Sequence, residues 1–208
     1  LLTEDRGFSP LASHLRSHHS ARSLAFLVGC AAVLTWWGGQ AVLFPDMSGD
    51  KPVPASGAAF MPMLLGIGVL ISTIDGMADF SRAAARPRSH VLARHLTVAF
   101  GIAMLSACIA LLLSGDPDAI PLACRNLLGF TGLAAFSAAL LGLRLSWLLP
   151  VTQTVPAFLL GTPGTGGTDT PWWSWPRATT GNGTAWVIAT GLMATGMLLV
   201  LLRADRST

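Results

Sequence analysis

From Leu96 to Leu113 the chain carries no charged side chain, and this run constrains the fold more than any other feature. As an α-helix rising 1.5 Å per residue it extends about 27 Å, enough for the hydrocarbon core of a bilayer. Further apolar runs lie on either side of it, and their limits predict spans over residues 23–44, 58–74, 96–113, 119–143, 145–160 and 185–202. The stretch from Ala119 to Leu160 must hold two of these, since one helix of that length would reach about 63 Å. The turn is expected near Arg144-Leu145-Ser146. The expected fold is therefore an all-α membrane protein. It is a polytopic six-helix transmembrane bundle with an N-terminal interfacial helix, divided into residues 1–22 and a six-span domain over 23–208.

Composition agrees. Hydrophobic residues make up 52% of the chain and charged residues 11%, against about 25% charged in an average soluble domain. The net charge of +3 and isoelectric point of about 9.2 do not call for a nucleic-acid partner. The basic residues sit at the ends of apolar runs, where membrane orientation accounts for them. With both termini inside, Arg6, Arg16, Arg22, Arg82, Arg86, Arg88, Arg94, Arg144, Arg203 and Arg206 fall on the cytoplasmic side. Lys51, Arg125 and Arg177 fall outside, and the asymmetry favours a multi-pass plasma-membrane protein in this orientation.

The longest charged interruption, Asp75 to His95, reads DGMADFSRAAARPRSHVLARH. Its part from Asp79 to Ala85 has good helix formers and is expected to form a short surface helix ending before Pro87. Such an inner loop is a candidate contact for a soluble partner; as a bare charge cluster it would serve only to orient the spans. Upstream, His14, Arg16, His18 and Arg22 accompany Leu11 and Leu15 at i, i+4 spacing, the pattern of a basic amphipathic helix at the membrane surface.

Trp36 and Trp37 are expected at the outer interface, followed by a short external connector over residues 45–57. Small residues crowd the fourth span, which suits close helix packing. Arg125, near its outer start, is expected to snorkel toward water. The fifth span contains Pro150 and Pro156, each expected to remove a backbone hydrogen bond, with polar Thr152, Gln153 and Thr154 between them. It is expected to be bent or broken, as a pathway-lining element or as a bent packing helix. Residues 161–184 are rich in Gly, Thr and Pro and contain Trp172, Trp173 and Trp175, expected in the outer interface or in a shallow re-entrant cap. The Asn182-Gly183-Thr184 sequon within them is a weak motif and is discounted.

Chemistry is sparse. No span centre carries Asp, Glu, Lys or His, which argues against a proton relay. There is no phosphate-binding GK[ST] loop. Cys30, Cys108 and Cys124 lie in or beside apolar runs at no metal-like spacing; their odd count and the lack of a CxxC argue against a disulfide framework or a zinc site, and they read as small hydrophobes. No catalytic residue, no metal ligand and no cofactor is therefore expected on this chain.

An interfacial helix, two spans, a basic helical inner loop, three more spans and a Trp-rich outer segment before the last span resemble the membrane subunit of an ABC-2 type exporter. The resemblance covers nearly the whole chain and is one of layout. It implies a permease without enzymatic activity of its own, with ATP and Mg held by separate ABC ATPase subunits. It also implies a second permease as homo- or heterodimer partner in the lipid bilayer. By the same resemblance, Asp79, Arg82, Arg86, Pro87, Arg88, His90 and Arg94 would form the ATPase-coupling loop, and the segment holding His14, Arg16, His18 and Arg22 the interface helix. The Trp172–Trp175 region would stand where the family has re-entrant outer helices. Two other readings stay open: a six-span substrate-capture subunit of an importer, and a structural anchor subunit of a larger membrane complex.

Overall fold

The computed structural model describes residues 18–37, 40–44, 53–73, 88–160 and 171–206, and these are mostly helical. In chain order the elements are α1 (His18–Trp37), β1 (Ala41–Phe44), β2 (Val53–Ser56), α2 (Gly57–Ile71), α3 (Arg88–Leu113), α4 (Ile120–Leu141), α5 (Leu148–Leu159) and α6 (Gly183–Arg206). Short 3-10 helices cover Pro117–Ala119, Leu143–Leu145 and Trp172–Arg177.

Among the described residues, three stretches are long and apolar enough to cross a membrane: Leu92–Leu113, Pro117–Leu141 and Gly183–Ala204. On the first and third of them small residues make up most of the buried face and large apolar side chains point outward. On α3 the buried face is Ala99, Ala103, Ala107 and Ala110 with Leu96 and Leu111, while Val98, Ile102, Leu105, Ile109 and Leu112 point outward. On α6, Ala185, Ala189 and Gly196 face the bundle, and Val187, Leu198 and Leu202 face away. Small residues let helix backbones approach each other, and large apolar side chains outside are what lipid solvates. Water offers no reason for that arrangement.

α4 is the central helix. About two thirds of its apolar stretch is buried, against a third for α3 and a sixth for α6. Its contacts with α2 and α6 run backbone to backbone. A Cβ at Gly66 would lie 2.9 Å from the Thr131 backbone nitrogen, one at Gly132 would lie 2.4 Å from the backbone of Leu192, and one at Gly196 would lie 2.2 Å from the Gly132 carbonyl oxygen. These glycines are required by proximity. Gly142, at φ +97°, ends α4 and turns the chain into the 3-10 helix, where the Leu145 carbonyl accepts a bond from Ser137 Oγ at 2.6 Å.

Three features depart from expectation. The fold is not wholly helical, because β1 and β2 pair antiparallel in the register Ala41↔Ser56 to Phe44↔Val53. The first apolar run therefore leaves its helix at Trp37, and its last four residues become a strand. Pro54 is tolerated in a two-stranded ribbon, where an edge needs no donor. Second, α1 runs unbroken from His18, so His18 and Arg22 belong to the same helix as the first apolar run. Third, α5 has 12 residues, about 18 Å, and alone falls short of a bilayer core.

Candidate functional site

The most polar buried place in the described structure lies where the N-terminal turns of α4 meet the 3-10 helix Trp172–Arg177 and the chain after it. Arg125 and Asn126 are both fully buried there. The Arg125 guanidinium donates from Nη1 to the Thr179 carbonyl at 2.8 Å and from Nη2 to the Ala178 carbonyl at 2.9 Å, with Pro176 O at 3.4 Å. Its Nε and Nη2 both reach Asn126 Oδ1 at 3.2 Å. Asn126 Nδ2 in turn donates to Pro176 O at 2.8 Å and to Ala59 O, in the first turn of α2, at 2.7 Å.

Among the described residues no carboxylate pairs with Arg125. The charge is offset by converging carbonyl dipoles, and the planar fork suits this because its donors diverge in fixed directions. A buried cation is tolerable only when its donors are taken up, as they are here. The result is a clasp joining α2, α4 and the segment before α6.

That segment forms a cap. Trp175 is buried against Phe130, ring centroids 5.2 Å apart, and lies over Gly129, where a Cβ would come within 2.2 Å of the indole. Trp172 remains exposed on the far side. Arg177 donates to the Phe158 carbonyl at 3.2 Å and sits over its ring at 5.8 Å, so the end of α5 is held to the cap as well. Asn182 Oδ1 accepts the Ala185 N–H at 3.0 Å, which makes the asparagine of the discounted sequon the N-terminal cap of α6.

In α5, Gln153 Nε2 donates to the Trp173 carbonyl, and Thr154 Oγ1 contacts Met63 Sδ at 3.0 Å on α2 while donating to Pro150 O at 2.7 Å. Thr152 is exposed and bonds back to Leu149 O at 3.0 Å. Pro150 is buried in the first turn, where its N–H would have had no helical acceptor, so only Pro156 removes an intrahelical bond. Of the polar trio, Gln153 and Thr154 are thus drawn to the cap and to α2, and Thr152 is turned away.

At the opposite end of the bundle, His90 and Arg94 are exposed on the first turns of α3, the helix that Arg88 opens. His95 Nε2 lies 3.1 Å from Ser72 Oγ. That hydroxyl also donates to Val69 O at 2.6 Å. Asp79, Arg82, Arg86 and Pro87, like His14 and Arg16, lie outside the described residues. His18 and Arg22 are in the first turns of α1.

Arg125 does not snorkel. It folds inward, because the cap carbonyls provide a better set of acceptors than a distant interface. Asn126 escaped notice as an uncharged residue in an apolar run. The available signal was the Arg-Asn pair itself, two strong hydrogen-bonding groups side by side at the start of an otherwise small and apolar helix. Comparison with protein-family models, with curated proteins and with solved structures finds no match to this chain.

Proposed function

We propose that this chain is the permease subunit of an ATP-driven exporter of the ABC-2 type, working with separate ATPase subunits and a second permease. The observation that carries the reading is the shortness of the fifth helix together with the cap that comes after it in sequence. α5 covers only Leu148–Leu159, and the later 3-10 turn Trp172–Arg177 has Trp175 buried in the bundle end, at the position where the resemblance calls for a re-entrant outer element. In this reading both termini and the loop from Asp79 to Arg94 are cytoplasmic, and the cap faces outward. Closure of the ATPases pushes on that loop, and the bundle alternates between packings in which the outer ends of its helices separate or close.

The test is to purify the chain with its natural membrane partners in mild detergent and to identify what accompanies it. An ATPase, lost on combined Arg82→Glu, Arg86→Glu and Arg88→Glu substitution while membrane insertion persists, supports the proposal. An ATPase that binds equally well to the substituted chain removes the coupling-loop assignment.

A second reading, the structural anchor, gains from one observation. The clasp under the cap is closely hydrogen-bonded, the mark of a fixed closure as much as of a moving one. Several co-purifying proteins without an ATPase would favour it.

A further inference from the structure

We infer that Cys108 and Cys124 form a redox-active pair that closes to an intramolecular disulfide and staples α3 to α4. Their sulfurs are 3.8 Å apart, in contact across the two helices, and each thiol has the other as its hydrogen-bond partner. Both residues are half-buried, whereas Cys30 is buried on α1. Cys108 sits five positions before the end of α3 and Cys124 four after the start of α4, each about 6–8 Å from the connecting turn. That turn is short and sharp. Gly115 adopts φ +76° and Asp116 bonds back to Leu111 O at 3.1 Å, which closes the C-terminal end of α3.

A disulfide requires the sulfurs to approach from 3.8 Å to about 2 Å, with the two Cα atoms within about 7 Å of each other. The reaction is thiol–disulfide exchange with a small apolar disulfide. One cysteine, as thiolate, attacks the external S–S bond and releases one thiol. The second then attacks the mixed disulfide and releases another. Two cysteine thiols are oxidised, one external disulfide is reduced to two thiols, and the two cysteine protons end on the released thiols. The closed ring runs from Cys108 through the turn to Cys124 and prevents the cap ends of α3 and α4 from parting. The inference rests on geometry alone and does not depend on the exporter reading.

The experiment uses the full chain carrying Cys30→Ser, purified in detergent and treated with 2,2′-dithiodipyridine. The expected result is release of two thiopyridone molecules per chain and a mass lower by two hydrogens, both reversed by dithiothreitol. With Cys108→Ser added, a single stable pyridyl adduct should remain on Cys124. Pyridyl adducts on both cysteines, a covalent dimer, or no release from folded protein that reacts fully once unfolded would each overturn the inference.

Discussion

Replacing Arg125 by methionine keeps most of the side-chain volume and removes every guanidinium donor of the clasp. Ala178 O and Asn126 Oδ1 then lose their Arg125 donors in a buried site, whereas Pro176 O keeps its bond from Asn126 and the Thr179 carbonyl sits on an exposed residue. At about 1–3 kcal/mol for each orphaned acceptor the loss is about 2–6 kcal/mol. The cost of burying a cation is no longer incurred, which moves the net toward about 3 kcal/mol. For a chain of this size that corresponds to a melting point lower by about 6–12 °C. The assay is thermal unfolding in detergent followed by tryptophan emission, since Trp175 reports directly on the cap. Arg125→Lys should recover only a minor part, because one ammonium cannot face both Asn126 and the carbonyls of Ala178 and Thr179. If Arg125→Met melts together with the parent and its emission is unshifted, the guanidinium does not hold the cap and the account of the site fails.

Other expectations follow from the same packing. Gly129→Ala drives a methyl into the Trp175 ring and should shift emission to the red, with about 1–3 kcal/mol of destabilisation. Gly132→Val should disrupt the α4–α6 contact and appear as aggregation on size exclusion. Gly101→Ala, with nothing within 4 Å, should be neutral or stabilising by up to about 1 kcal/mol, so equal damage from both would refute the proximity argument. Asn182→Ala removes the N-terminal cap of α6 and should cost about 1 kcal/mol, visible as faster amide exchange at Ala185.

How much of this was legible in the sequence depends on the kind of signal. The uncharged run ending at Leu113 and the turn around Arg144 announce themselves, because length and charge decide them locally, and α3 and α4 end close to the expected limits. The β-hairpin was hidden: Ala41 to Phe44 is as apolar as the helix before it, and only its pairing with Val53–Ser56 makes it a strand. The two prolines of the fifth run suggest a bent or broken span, yet α5 is one helix from Leu148 to Leu159: Pro150 falls in the first turn, where no helical bond is lost, and Pro156 alone lies past it. Arg125 misled for a physical reason. A lone cation near a helix end normally reaches for water, and the acceptors that draw it inward come from residues 176–179, some fifty positions away.

The glycine seam has a mechanical corollary. Where Gly196 presses on the Gly132 carbonyl and Gly66 on Thr131, only small side chains border the contact and the backbones themselves meet, so α2, α4 and α6 resist sliding past one another in small steps. They form a keel. Whatever work this protein does in a membrane, the travelling parts must be found among the peripheral helices, and the hinge at the rim of that seam.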